Sequence, residues 1–422
     1  MSRSDTLTLS LDRFDISVLN PLLGSDFGIK GAATGNVRLT SPMHSKGLLA
    51  DMICDSTFIA GTPLGTLDLG SSWNDEFNRF DIHLQNDLNG KRNIDAAAKL
   101  TPKTDMLDAR ISLDSLMISY AEPFLTDVFS EMDGFISGDV MIEGPVDKLE
   151  IRSIGTRLDG GRLNVAFTNV PYYADGTFSL DETGAYFDDI RIKDRYSGTG
   201  TVEGSINWDR FKDITFDTRI RVNSIEGINL TEDMSEDFYG NVYGTGNISI
   251  TGPVSSLVMN IDAVTARNGQ LHIPMSGATT SGGSTNLLKF KEPAKEIYID
   301  PYEEMRARLA RSKDSSSDFL VRLRVEASAN TEAFVEIDKA SGNVLSGRGN
   351  GLIELEVGED LFNINGDYTL TSGKYNFSAL GLVNREFTIQ DGSSIIFSGD
   401  IMASTLDIDA VSKYLFSFFF TF

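Results

Sequence analysis

Asp188 and Asp189 are the most suggestive pair of carboxylates in the sequence. Two carboxylates held at different pKa values can divide general acid and general base work, provided both reach one substrate. Adjacent residues of a strand point to opposite faces, so this pair is badly placed to share one. His44, His83 and His272 stand far apart in unlike contexts and read as surface or turn residues rather than ligands. No Cys-x-x-Cys, His-Glu-x-x-His or Asp-x-Asp-x-Asp-Gly run occurs. The glycine-rich runs Gly198-Thr-Gly200-Thr-Val-Glu-Gly204 and Gly347-Arg-Gly349-Asn-Gly351 invite a phosphate-loop reading. Neither opens a helix whose N–H groups would converge on a phosphate, so both read as strand glycines at bends. The sequence therefore offers no catalytic residue, no metal site and no cofactor site, and is expected not to be an enzyme.

Composition narrows the remaining classes. A chain of 422 residues with 41% apolar content can bury a large core. The net charge of -24 argues against nucleic acid, whose phosphates demand a basic surface, and against a broad grip on anionic headgroups. A single cysteine, Cys54, allows no intrachain disulfide. No signal-peptide core opens the sequence, and no run of about 18 apolar residues is present to span a membrane as a helix. The C-terminal stretch Tyr414-Leu-Phe-Ser-Phe-Phe-Phe-Thr-Phe422 is too short for a helical span. It suits one barrel-type strand or the ragged end of a truncated chain.

The elements that would position any site repeat. A glycine-led alternating cassette occurs four times: Gly35-Asn-Val37-Arg-Leu39, Gly138-Asp-Val140-Met-Ile142, Gly246-Asn-Ile248-Ser-Ile250 and Gly351-Leu-Ile353-Glu-Leu355. The leading glycines lie 103 (138 − 35), 108 (246 − 138) and 105 (351 − 246) residues apart, which points to internal duplication. Period-two alternation continues in Phe216–Val222, Phe319–Ala327 and Leu406–Ala410. Asn89-Gly90, Asp159-Gly160-Gly161, Asp175-Gly176, Asn268-Gly269 and Asp391-Gly392 read as turns. Neighbouring strands are accordingly expected to pair antiparallel. Helical signal is scarce. Asp300 to Arg311 carries a capping residue, Pro301 at the first helical position and the stripe Tyr302, Met305 and Leu309. Ala121–Phe129 and Asn229–Tyr239 suit short helices between repeats.

These features predict residues 1–134 and 135–241 as two β-groove repeats and 242–273 as the start of a third. Residues 274–318 form an insertion with a short amphipathic helix, 319–414 a C-terminal β domain, and 415–422 an aromatic tail. The fold class expected is all-β: an elongated, repeating, antiparallel, half-open β-groove with a hydrophobic interior and few short helices. A sheet with one apolar face and no helices to cover it must pack on itself or curl into a trough. The expected lining is Val140, Ile142, Ile248, Ile250, Phe319, Val321, Leu323, Val325, Ile353 and Leu355. An acyl chain of about 16 carbons moved from water into such a lining would gain roughly 12 kcal/mol with no specific polar contact. The plainer alternative is that the same side chains fill one another's space and leave no groove.

In the C-terminal third the residues go beyond pattern. Gly366-Asp-Tyr368-Thr-Leu-Thr-Ser-Gly373-Lys-Tyr375-Asn-Phe377 resembles the TamB C-terminal domain. So does Arg385-Glu-Phe387-Thr-Ile389-Gln-Asp-Gly392-Ser393, continuing to Gly399-Asp400, Ala403, Leu406-Asp-Ile408-Asp-Ala410 and Tyr414. Leu287–Phe290, Val335–Asp338 and Gly347–Gly351 look like Bacteroidetes-type members of that family. The resemblance covers about residues 285–414, and the repeats before it look like the looser AsmA-like region. It implies a periplasmic protein of a Gram-negative bacterium, anchored in the inner membrane, which carries phospholipid between membranes and supports outer-membrane biogenesis. The partners implied are phospholipid acyl chains, an outer-membrane assembly-type barrel of the TamA kind, and unfolded outer-membrane protein clients. The family's other reading is assembly and secretion of barrel and autotransporter proteins without lipid transport. A third is an inert elongated β protein. The family's anchor helix is absent from this sequence and its last strands give way to the aromatic tail, so a fragment or shortened member is expected.

Overall fold

A computed structural model describes residues 6–20, 28–40, 48–125, 128–209, 212–235, 238–274, 319–338, 342–358, 361–379 and 383–412. The predicted helix Asp300–Arg311, nearly all of the 274–318 insertion, Leu287–Phe290, Tyr414 and the tail 415–422 lie outside the described residues. The fold is all-β, with 24 strands and only short 3₁₀ turns among the described residues. Contacts divide the chain into two units. The first comprises residues 1–166, 171–192 and 202–214, and the second residues 167–170, 193–201 and 215–422. The first unit holds the cassettes at Gly35 and Gly138, and the second those at Gly246 and Gly351.

In the first unit, β1 (Thr6–Asp15), β2 (Lys30–Thr40), β3 (Leu48–Ile59), β4 (Thr62–Asn74), β5 (Arg79–Asp87), β6 (Ile94–Thr101), β7 (Met106–Met117), β8 (Phe129–Pro145) and β9 (Glu150–Val165) pair in sequence order. Every pair is antiparallel. β10 (Val170–Thr177), β11 (Ser179–Leu180), β12 (Gly184–Lys193) and β13 (Thr199–Asp209) follow. Asn89 and Gly90 both take positive φ, as a type I′ turn requires, and join β5 to β6. Asp159-Gly160-Gly161 and Asp175-Gly176 are not turns: they lie inside β9 and β10. Gly161 serves close approach instead, since a Cβ there would sit 2.9 Å from the Ala174 carbonyl oxygen. A 3₁₀ turn at Ile118–Phe124 stands where the first inter-repeat helix was expected.

The second unit runs through β14 (Lys212–Leu230), which belongs to it from Thr215, β15 (Tyr239–Pro253), β16 (Val258–Thr265) and β17 (Gly269–Pro274). It continues with β18 (Leu320–Ala327), β19 (Thr331–Asp338), β20 (Asn343–Gly358), β21 (Leu361–Ala379), β22 (Val383–Ile389), β23 (Ser394–Asp407) and β24 (Ala410–Val411). Asn268-Gly269 marks a break between β16 and β17, and both strands pair with β15. The expectation of antiparallel neighbours fails beside the 274–318 insertion. β16 runs parallel to β18, and β17 parallel to β19. A hairpin forces antiparallel pairing, but a connection of more than a dozen residues lets a strand return in the same direction. Residues 275–318 are long enough for that. Between Leu230 and Tyr239 the described residues form a turn rather than the second inter-repeat helix.

Candidate functional site

Register shows which side chains share a face, because residues directly opposite in a sheet point the same way. In the second unit three successive rows cross β14, β15, β16, β18, β20 and β21. The first is Thr218, Ile250, Met259, Val321, Val357 and Phe362. Beside it run Ile220, Ile248, Ile261, Leu323, Leu355 and Ile364. The third is Val222, Gly246, Ala263, Val325, Ile353 and Gly366. No charged residue enters these rows. None of the 18 positions is exposed, and most are only partly buried. The opposite face carries Arg219, Ser249, Asn260, Arg322, Glu356 and Asn363 in one row, and Arg221, Asn247, Asp262, Arg324, Glu354 and Asn365 in the next. Arg322 pairs with Glu356 at 3.2 Å across that solvated side.

Seven of the ten predicted lining residues therefore stand together on one face of the second unit. Val140 and Ile142 occupy the corresponding face of the first unit. Val140 lies between Ile111 and Ser153 in the row Met52, Leu69, Leu84, Ala96, Ile111, Val140 and Ser153, while Ile142 lies between Ala109 and Ile151. Phe319 precedes β18, and its ring meets Phe167 edge-to-face with centroids 5.7 Å apart.

The apolar face bends at a corner built the same way in three copies. Leu11 faces Gly35 and Phe14 faces Ala33, so three steps on β1 match two on β2. Leu113 and Leu116 repeat this against Gly138 and Ile136, as do Val222 and Ile225 against Gly246 and Gly244. One extra residue per strand is a β-bulge, which bends the strand and frees an amide. Arg13, Ser115 and Ser224 sit in the bulges with φ of 49°, 56° and 49°. Each freed amide donates to the hydroxyl just before the cassette glycine: Arg13 to Thr34 at 3.2 Å, Ser115 to Ser137 at 3.1 Å and Ser224 to Thr245 at 2.9 Å. The glycine itself is pressed against the next strand. A Cβ would lie 2.7 Å from Met52 Cα at Gly35 and 2.6 Å from Thr156 Cα at Gly138. At Gly246 it would lie 2.6 Å from Ala263 Cα, and at Gly351 2.8 Å from Tyr368 Cα. The fourth copy departs from the bulge: the strand breaks between β18 and β19, and Arg348 Nη1 donates to the Ala329 and Asn330 carbonyls across the gap.

Close to that fourth corner the interior is filled. Val335, Leu345, Tyr368, Leu370, Ile389 and Ile395 form a buried cluster, with Ala327, Ile353, Tyr375, Phe397 and Ile408 against it. Of the motif residues, Tyr368 lies within it and Tyr375 against it, while Phe377 is exposed. Tyr368 lies between Gly351 and Ile395, and burial pushes its phenol pKa up. Gly347 and Gly373 face one another, with Leu370 packed over the first and Ile389 against the second. Gly366 has φ +124° and meets β20 closely. Tyr375 pairs with Phe387 at 6.2 Å and Phe377 at 6.3 Å. Gly392 turns the chain, and Ser393 Oγ donates to the Gln390 carbonyl and accepts from the Asp409 amide. Gly399 and Asp400 lie in β23.

Two polar clusters were not anticipated. Glu226 is wholly buried just past the third bulge, held by Arg195 Nε at 3.0 Å and Nη2 at 2.8 Å. Asp194 accepts the amides of Tyr196, Gly198 and Glu226, each at 2.7 Å. His272 is not a surface residue: its ring stacks between Tyr239 and Phe334, and Nδ1 lies 3.0 Å from Glu336. His83 is exposed, 3.8 Å from Asp68, and His44 lies outside the described residues. Asp188 and Asp189 are both exposed on β12. Only the hydroxyl before three of the cassette glycines, Thr34, Ser137 and Thr245, was a visible sequence signal of the corner. Arg195 and Glu226, 31 residues apart, left none. Among the described residues no three metal-ligating side chains gather, and no helix is long and apolar enough to cross a membrane.

The family model of the TamB C-terminal domain matches residues 188–415, 228 of 422 positions (415 − 188 + 1). The chain belongs to the TamB family. The match begins about a hundred residues before the resemblance legible in the motif alone. It takes in the cassettes at Gly246 and Gly351 as well as the tyrosine–glycine string of this TamB domain. No curated protein matches the chain, and neither does any solved structure.

Proposed function

We propose that the protein is a lipid-conducting TamB-family bridge, carrying phospholipid acyl chains along the apolar face without catalysis. The observation that carries this reading is the uncharged, half-buried face of Ile248, Ile261, Leu323, Leu355 and their neighbouring rows, backed by a charged outer face. Acyl chains gain about 0.8 kcal/mol per buried CH₂ from such a wall and need no hydrogen bond to hold them. Family membership supports a place in the periplasm between inner and outer membrane, with an assembly-type barrel of the TamA kind as partner. Support of outer-membrane biogenesis then follows from lipid delivery.

The test is mass spectrometry of protein purified from cells. The unmodified chain is expected to carry phospholipid, and the Ile250→Asp plus Leu323→Asp double variant to lose it while keeping its strand spectrum. Absence of lipid from the unmodified chain, with crosslinks from residues 366–410 to barrel proteins, would instead indicate an assembly factor for outer-membrane proteins.

A further inference from the structure

We infer that Thr218 holds the ester carbonyl of a bound acyl lipid, so that the apolar face prefers ester-linked to ether-linked chains. The inference rests on the lipid-conducting reading and names the part of the lipid that one position recognises. Each cassette sets its second aliphatic residue opposite one residue of a neighbouring strand. Leu39 faces Leu7, Ile142 faces Ala109, Ile250 faces Thr218 and Leu355 faces Leu323. Three of these four partners are apolar. Thr218 is also the only polar side chain among the 18 positions of the three rows in the second unit. It is 5% exposed, yet its Oγ1 is enclosed without a hydrogen-bond partner. A buried hydroxyl left unbonded is unfavourable, and valine would fill the same space without one. Packing therefore does not account for the threonine.

The hydroxyl can donate one hydrogen bond within an uncharged wall. An ionised phosphate is a poor occupant, because a charge taken out of water needs a counter-charge, and the arginines of β14, Arg219 and Arg221, stand on the opposite face. An acyl chain brings its own neutral acceptor, the ester carbonyl at its head. With that carbonyl on Thr218, the chain would run over Ile250, Met259 and Val321, which continue the row across β15, β16 and β18. Side chains stand roughly perpendicular to a sheet, so an entering ester parts neighbours on this face and leaves the strand ladder whole. An ether-linked chain of the same length covers the wall equally well but has no carbonyl to offer.

The test uses the full chain and two lipids that differ only in this linkage. The chain is incubated with vesicles holding equal amounts of dioleoyl phosphatidylethanolamine and its dioleyl ether analogue, then re-isolated, and its bound lipid is counted by mass spectrometry. The ester lipid should exceed the ether lipid by about threefold to tenfold, the worth of one hydrogen bond. Thr218→Val should bring the two to equality, Thr218→Ser should restore the preference, and Ile220→Val should leave it unchanged. Lipid-free Thr218→Val should be no less stable to urea than the unmodified chain, since the hydroxyl has no bond to lose. Equal amounts of both lipids on the unmodified chain would overturn the inference and leave the lipid-conducting reading standing. A preference that survived Thr218→Val would do the same, as would a marked loss of stability in that variant, which would show the hydroxyl bonded within the protein. Uptake of neither lipid would overturn both.

Discussion

The Ser224 amide is capped by the Thr245 hydroxyl at 2.9 Å, and the residue after that threonine is the cassette glycine Gly246. Bulge and cap thus meet between β14 and β15, and the close approach lies on the far side of β15, where Gly246 meets β16. Thr245→Val should cost only about 0.5–1 kcal/mol, since the amide is exposed and water can replace the hydroxyl. Gly246→Ala should cost more than about 2 kcal/mol, because its Cβ would collide with the β16 backbone. Urea denaturation of the two variants checks the order, and equal losses would show that the glycine is not needed for contact.

The filled corner and the partly open wall should respond differently to truncation. Leu370 is 2% exposed within the buried cluster, so Leu370→Ala should cost about 3–4 kcal/mol. Leu323 is only half-buried, and Leu323→Ala should cost about 1 kcal/mol. Chemical denaturation would expose the error if Leu323 proved as costly as Leu370, since the wall would then be as tightly filled as the corner.

Arg195 holds a carboxylate that has no exposure of its own. Arg195→Met should destabilise by about 2–4 kcal/mol, the charge of Glu226 being left buried without its guanidinium. Arg195→Met combined with Glu226→Gln should recover part of that loss. A double-mutant cycle measures the coupling, which would vanish if the pair were only a surface contact.

Asp139 accepts hydrogen bonds from Arg110 and Ser112, and the first of these does most to hold its carboxyl below the ordinary range. A group with a lowered folded pKa stabilises fully above its unfolded value near 3.9 and loses that contribution as pH falls through the folded value. Stability should therefore decline below about pH 4. Asp139→Asn should flatten this part of the profile and leave the slope above pH 5 unchanged. Melting temperatures from pH 2 to 7 provide the readout.

Much of the architecture was legible because alternation and cassette spacing are local. Ile248, Leu323 and Leu355 could be assigned to a shared face from period two alone, and the register places them in one row. The parallel pairing of β16 with β18 was not legible, since it depends on the route of a long connection rather than on either strand. Asp159-Gly160-Gly161 was misread because glycine serves a tight crossing as well as a turn, and only the neighbour at Ala174 distinguishes them. The Arg195–Glu226 pair arises where Lys193–Thr201 meets the third bulge, a proximity that no periodicity encodes.

The corner has a consequence for how such a chain can change over generations. Each bulge advances one strand by a single residue, so the inward positions shift from Val222 to Ile225 rather than to 224. Deleting Ser224 would leave Val222 and Ile225 two steps apart, in plain alternation, and erase the bend; deleting a residue within a regular stretch, such as Arg219, would instead throw neighbouring inward side chains out of phase, as a one-letter slip scrambles a reading frame. Length can vary freely only between strands. The copies obey this: their spacing drifts between 103 and 108 residues (138 − 35 and 246 − 138), while the three steps across each bulge stay constant in the first three.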